Sequence, residues 1–486
     1  MQQNKVGELK LFRLFGLSSL VYLFLASTLF AKSFEDFKHA ESAAFKKYND
    51  KNDLAFASYL KDAWEEYSVK VSPSLYKKQK PKSITPSREI KIKNIGPRVN
   101  IKIPEIKKQV IIPIKLEVVK KDTKDIYINY FGQEIGFSID SNIRDAHFYP
   151  QNQAGILNFF NRMASSDYKQ TIYEINEACR TLKLNDWGVY QLVNQLSKTL
   201  YSSSDSRKLY AWFIFNKLGY EVKIGLGRKH VVLMHYSKKI IYSTPSYSFA
   251  DKKFYVISAY DKASLGNIYT YNQTYPNAHK ALDLELRELP NFKKNLMHKT
   301  VSFTQFGKEY SSTFSYDKNL IDFMGTYPQA DYETYFNAPM SSLAYNQIAS
   351  DIKKYINNKH SSYAINFVLN FVQKAFKYET DQQQFGREKV MFANETLYYE
   401  KSDCEDRAIL FAYLVKKLFK ISVIGVKYKD HMATALYIPM QGDSVRKGSK
   451  RYIIADPTYI NANIGQSMPK YRSVIPQSYI TVSKGS

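Results

Sequence analysis

Residues 402–459 read SDCEDRAILFAYLVKKLFKISVIGVKYKDHMATALYIPMQGDSVRKGSKRYIIADPTY. Ser402 and Asp403 supply capping chemistry, and Cys404 opens a run to Leu418 that is apolar nearly all round. Such a run predicts a buried central helix with a thiol at its N-terminus. A strand-like run from Ile421 to Lys427 follows, then a short turn, and His431 opens a second strand to Ile438. Asp456 closes the strand from Arg451, just before Pro457. Two adjacent antiparallel strands would bring His431 and Asp456 to the same end of a sheet. Cys404, His431 and Asp456 are therefore candidates for nucleophile, base and orienting carboxylate. The positive end of the helix dipole favours a thiolate at Cys404, while Glu405 and Asp406 oppose it, so the histidine has to supply the rest.

An altered copy of this layout lies about 200 residues upstream. Phe131-Gly132 matches Phe306-Gly307, and Val189, Asn194 and Lys198 match Ile365, Asn370 and Lys374. Arg207, Lys217, Leu218, Ile224 and Gly225 match Arg407, Lys417, Leu418, Ile424 and Gly425. His230 and Tyr236 match His431 and Tyr437, and Pro245 and Tyr247 match Pro457 and Tyr459. The offset only increases along the chain, as a duplication with insertions in the second copy requires. Ser204 then stands in the place of Cys404, Thr244 in that of Asp456, and His230 in that of His431. A serine without a carboxylate-oriented histidine is a weak nucleophile at neutral pH, so the first copy is expected to be catalytically silent. His235, on the same apolar strand, is expected to be a packed histidine. The second copy has gained Tyr378 to Lys401 and about Gln441 to Lys450, expected to form substrate walls.

The N-terminus carries Lys5, Lys10 and Arg13, then an apolar run from Leu14 to Phe30 and Ala31-Lys32. That pattern predicts a signal peptide over 1–31, or a membrane anchor if it stays uncleaved. Residues 32–67 read as an amphipathic helix. Phe34, Phe45, Phe56 and Tyr67 recur every eleven residues beside a second row, Phe37, Tyr48 and Tyr59, a stripe suited to its own domain or to self-association. Residues 68–109 read as a basic, proline-containing linker. From Ser68 to Asp125 there are sixteen Lys or Arg against five Asp or Glu. The alternation from Val99 to Lys120 could supply strands.

A chain of 486 residues with 44% apolar content and 15% aromatics can bury more than one core. Its net charge of +25 follows from abundant lysine and also suits an anionic envelope surface, while no nucleic-acid motif is present. With only Cys179 and Cys404, a disulfide framework is excluded, and both thiols are expected free. Asp and Glu are too scattered along the chain to argue for calcium, and no metal or cofactor motif is visible.

DCEDRA followed by leucines at helical spacing, then a strand-initial His431, then ADPT at 455–458, resembles the core of the transglutaminase-like superfamily of papain-type cysteine enzymes. The resemblance covers about 363–465, and YINANIGQSMPKY at 459–471 is similar to a subgroup of exported bacterial members. It departs from the family's frequent pattern at Ser402 and Ala433, where glycine and tryptophan are common. The resemblance implies an α+β protein of two tandem cysteine-proteinase-like domains, each a central helix on an antiparallel sheet, preceded by an N-terminal helix. The first, degenerate domain would span 110–280 and the catalytic one 281–486. It further implies an oxyanion hole using the Cys404 N–H, with a second donor at Tyr398 or Tyr399. The function implied is an exported, periplasmic or envelope enzyme acting on a protein or peptide-like substrate, such as cell-wall peptide, through a thioester. Hydrolysis by a peptidase or amidase is the first expectation, cross-linking transglutamination the second. A non-catalytic periplasmic binding or scaffold protein is the alternative of a different class.

Overall fold

The computed structural model describes residues 51–76, 79–91, 93–103, 124–228, 230–259 and 265–483. The chain divides into two compact units, 1–62 and 63–486. In the first unit, residues 51–59 are helical, with the Phe56 and Tyr59 rings edge to face at 6.4 Å. The helix expected over 32–67 stops there. Lys61 and Asp62 donate to the carbonyls of Ser58 and Tyr59 in a closing turn, and Tyr67 of the eleven-residue row belongs to a strand. The signal segment 1–31, and Phe34, Phe37, Phe45 and Tyr48, lie outside the described residues, as does most of the alternating stretch up to Lys120. Among the described residues no helix is long and apolar enough to cross a membrane.

The second unit is α+β, built on curled antiparallel sheets. Its first half begins with β1 (Glu65–Tyr67) and β2 (Lys70–Val71), and continues with the hairpin β3 (Ile126–Tyr130) and β4 (Gln133–Phe137). Helices α1 (Asp186–Leu200) and α2 (Ser204–Lys217) follow, then β5 (Val222–Leu226), β6 (Val231–Tyr236), β7 (Pro245–Phe249), β8 (Lys252–Tyr255) and β9 (Ile268–Thr270). The sheet order is β1-β9-β5-β6-β8-β7-β2. Two residues separate β1 from β2, yet they pair with opposite ends of the sheet. Seven extended residues reach only about 23 Å, so the sheet has to curl until its edges nearly meet. The second half has the hairpin β10 (Leu296–Gln305) and β11 (Lys308–Asp317), then α3 (Ser361–Lys374), α4 (Ala393–Tyr398) and α5 (Cys404–Phe419). Five strands close it: β12 (Val423–Lys427), β13 (Met432–Leu436), β14 (Ser444–Lys447), β15 (Lys450–Ala455) and β16 (Ser478–Thr481), ordered β14-β15-β13-β12-β16.

Both halves carry a hairpin and close with a central helix packed on an antiparallel sheet, with several helices in between. Phe131-Gly132 and Phe306-Gly307 sit at the two hairpin tips with positive φ at both positions, the backbone of a type I′ turn. The repeated dipeptide thus marks one turn used twice. α2 and α5 are buried on nearly every side and pack against the paired strands that follow each of them. Of residues 281–295, expected to open the second domain, the part up to Asn291 lies against the first half, while Lys293 to Asn295 bind Asp317 and Asn319 of the second. Asp283 and Asn291 donate backbone N–H groups to the Asp186 carboxylate and the Leu182 carbonyl.

The stretch expected as a linker is also different. Among its described residues it meets the second half in one isolated antiparallel bridge, Arg98 with His360, and Leu75, Tyr76, Lys80 and Ile101 are buried along that half, while Ser72 is held by the first. The prolines prevent regular structure without preventing docking: Tyr76 and Lys80 bury their side chains, while Ser87, Ile95, Pro97 and Val99 exchange backbone hydrogen bonds with the second half. In the first half Trp212 is fully buried on α2, with its indole N–H donated to Tyr271 Oη at 3.0 Å. Trp212→Ala is expected to destabilise the chain by roughly 3–5 kcal/mol, read as a lower urea midpoint.

Candidate functional site

Cys404 is the first residue of α5, where backbone N–H groups have no intrahelical acceptor. Asp403 and Asp406 form a capping box, the Asp403 N–H donating to Asp406 Oδ2 at 3.1 Å. Arg407, one turn further on, is completely buried. Its guanidinium donates to Ser402 Oγ and to the carbonyls of Gln373 and Phe376, which fixes the chain just before the cysteine. Arg207 does the same for the first half, binding the carbonyls of Tyr201 and Ser202.

His431 immediately precedes β13, and Asp456 immediately follows β15, the neighbouring antiparallel strand. The predicted meeting of the two occurs: His431 Nε2 lies 2.8 Å from Asp456 Oδ2, both residues buried. The other carboxylate oxygen accepts the backbone N–H groups of Thr458 and Tyr459, at 3.0 and 3.3 Å. Gln373 Nε2 bridges the carbonyls of Asp456 and Ala462 and holds this turn against α3. The Tyr471 ring stacks on the imidazole at 4.8 Å, and Tyr471 is also within electrostatic reach of Cys404. His431 Nδ1 is buried and makes no hydrogen bond.

Cys404 and His431 are not hydrogen-bonded to each other. The thiol instead donates to Glu405 Oε2 at 3.1 Å, and Tyr76 Oη lies 3.9 Å from the sulfur. Complete burial pushes the Cys404 thiol well above its usual range, and the neighbouring charges of Glu405 and Asp403 push it further. Burial first, and the neighbouring carboxylates second, thus oppose the thiolate that the helix dipole would favour. Glu405 remains ionised. Burial alone would raise its pKa, but the Lys80 ammonium and its hydrogen bonds hold it below the usual range.

Lys80 is the centre of this electrostatics. Its Nζ lies 2.9 Å from Asp381, 2.8 Å from Glu388 and 2.8 Å from Glu405, and also contacts Asp403. Burial would push the ammonium down, but the four carboxylates hold it well above its ordinary value. Acids that looked scattered in sequence converge here, in triads whose ligand atoms lie within 4.8 Å of one another, and a lysine supplies the cation. Two of them, Asp381 and Glu388, come from the inserted segment Tyr378–Lys401. Lys80, Tyr76 and Tyr471 were missed in the sequence. Lys80 and Tyr76 fell in a presumed linker, and nothing local marks a residue that acts some 325 positions away.

The backbone N–H of Tyr399, expected as a possible second oxyanion donor, is taken up inside its own helix. The Tyr399 N–H donates to the Glu395 carbonyl at 2.9 Å as α4 ends, and both tyrosine carbonyls accept from Lys299 Nζ at 2.9 Å. Their rings pack against each other and against Tyr316 and Phe385.

In the first half, Ser204 is likewise the first residue of its helix, and His230 directly precedes β6. The turns also match: the Gly227 N–H donates to His230 O at 2.9 Å, and the Tyr428 N–H to His431 O at 2.8 Å. Ser204 is exposed, and the His230 side chain is 77% exposed, with Nδ1 3.8 Å from Asp205. Thr244 does not occupy the place of Asp456. It precedes β7, whereas the strand beside β6 is β8, which is followed by Val256. The sequence match at Pro245 and Tyr247 misled here, because Pro245 opens the outer strand of its hairpin, β7, whereas Pro457 follows the inner strand, β15. His235 is packed between Tyr190 and Phe215, and burial lowers its pKa to about 3, so it stays neutral. No protein-family model matches this chain, and no curated protein or solved structure is detectably similar to it.

Burial, with Glu405 and Asp381 adding to it and Lys80 opposing, pushes the Glu388 carboxyl up to about 7. The folded state thus keeps a proton that the unfolded chain has released, so the contribution of Glu388 to stability falls as pH rises from 4.5 to about 7. Glu388→Gln is expected to be more stable than wild type above that window and indistinguishable from it below, in thermal melts across pH.

Proposed function

We propose that the chain is an exported cysteine-dependent amide hydrolase of the transglutaminase-like type, with Cys404 as nucleophile, His431 as base and then acid, and Asp456 as orienter. The observation that carries this reading is the buried His431–Asp456 pair with an unpartnered Nδ1, at the end of the sheet that faces a helix-initial cysteine. The carboxylate selects the tautomer in which Nε2 carries the proton and Nδ1 is the base. Rotation of the thiol away from Glu405 would let Nδ1 take its proton as sulfur attacks a substrate carbonyl. The Cys404 N–H is placed for the oxyanion, and His431 returns the proton to the leaving amine. Water, activated by the same nitrogen, then cleaves the thioester to acid and free thiol. The shared hairpin, central helix and antiparallel sheet support the two halves being copies of one fold. The exposed Ser204 and His230, with no carboxylate at the Asp456 position, support a silent first copy.

A non-catalytic scaffold is the second reading, favoured by the protonated, fully covered thiol. Incubating peptides and cell-wall fragments with the full chain separates the two. Cleaved products are expected from wild type and none from Cys404→Ala, and Asp456→Asn or His431→Ala should lower the rate by roughly 10²–10⁴-fold. Products persisting with Cys404→Ala would remove the enzymatic reading.

A further inference from the structure

Cys404 is fully buried and His431 nearly so, which leaves no path for a substrate carbonyl to reach the sulfur. Part of that cover is residues 72–76 and 79–91, running extended over the second half. At its upstream end the Ser72 N–H donates to Thr244 O and the Ser243 N–H to Pro73 O, both at 3.1 Å, so a turn of the first half grips it. Over the site, Lys427 Nζ donates to Leu75 O at 2.7 Å, and Tyr76 Oη to Glu405 at 3.1 Å beside the Cys404 sulfur. Lys80 then enters the carboxylate cluster. Downstream, Tyr378 Oη donates to Pro81 O at 2.7 Å, and the Ser87 N–H to Ile460 O at 2.8 Å.

We propose that residues 72–76 and 79–82 form an intramolecular strap that closes the Cys404 site against substrate, so that this enzyme is made latent and works only once the strap is lifted. The inference rests on the enzymatic reading of the same site. Three observations carry it. The strap makes no ladder with the second half, and Lys82 and Ser83 beyond it are exposed, so it can be peeled away without dismantling a sheet. Its two deepest side chains, Tyr76 and Lys80, both bind Glu405, the carboxylate that holds the thiol away from His431. And in the first half, Ser204 and His230, at corresponding places on the helix and turn, are exposed to solvent. Lifting the strap would uncover the sulfur and remove two of the donors that keep Glu405 ionised beside it. Access and activation are thereby coupled. The first half acquires a role as well, since its Ser243–Thr244 turn holds the strap down.

The test measures iodoacetamide labelling of Cys404 in the full chain, in a Cys179→Ala background so that a single thiol reports. Two openings are compared with the closed chain: Tyr76→Gly, and proteolytic cutting at a site-specific protease sequence inserted between Lys82 and Ser83. Each is expected to speed labelling by at least about tenfold, because the closed chain reacts only through rare local opening. If Tyr76→Gly fails to fold, as read by circular dichroism, the cut chain carries the test. Unchanged labelling in the folded, cut chain overturns the strap, as does closed-chain labelling at the rate of a free thiol. The two proposals fail differently. Fast labelling after opening, with the pH profile of an ordinary cysteine near about 8.5, keeps the strap and removes the enzyme. Fast labelling of the closed chain with a midpoint well below that keeps the enzyme and removes the strap.

Discussion

One ammonium group, Lys80 Nζ, neutralises carboxylates from two separate parts of the chain: Asp381 and Glu388 from one, Asp403 and Glu405 from the start of α5. Without it those acids would crowd together in a site closed to water, a situation proteins resolve by protonation or rearrangement. Breaking such a buried pair by removing one partner typically costs about 3–5 kcal/mol, so the position of residue 80 constrains everything around it. It fixes the charge on Glu405, and Glu405 in turn fixes the proton and direction of the Cys404 thiol. The chemistry of the site is thus set by a residue outside the triad and far from it in sequence.

The His431–Asp456 pair and the cysteine-bearing helix are held by simpler means. His431 and Asp456 meet because they stand at the same end of adjacent antiparallel strands, a placement the β13–β15 register enforces. Cys404 is presented by a helix whose other faces are all buried, and Arg407 ties down the chain before it. Each feature keeps a polar group fixed where no water is available to solvate it, which is why so many buried donors and acceptors here are satisfied by backbone groups. The exceptions here include His431 Nδ1, Asp403 Oδ1 and Thr458 Oγ1, and unsatisfied buried polar atoms gathered in one place are the kind of departure expected at a functional centre.

The two halves show how much of such a site depends on its surroundings. Both carry the buried central helix, the arginine at its fourth position, and the hairpin turn with histidine at its end. In the first half these surround an open surface, while in the second they surround a closed one. The difference lies in the inserted segment that brings Asp381 and Glu388, and in the chain that crosses the second half bearing Tyr76 and Lys80.

The sequence by itself determined the central helix, the paired strands and the meeting of His431 with Asp456 at one end of the sheet. All of these follow from local periodicity, turn chemistry and the ends of elements, which depend on neighbours in the chain. It also placed His235 correctly as a packed histidine, from the apolar strand around it. Only the tertiary structure decided the protonation of Cys404, the course of residues 72–91, the end of the N-terminal helix and the strand that takes the place of the Asp456 strand in the first half. These are settled by burial, by sheet order and by charges brought together from distant segments. Coulombic energy depends on distance in space and on dielectric, and neither can be read along a chain in which Lys80 and Glu405 stand 325 residues apart.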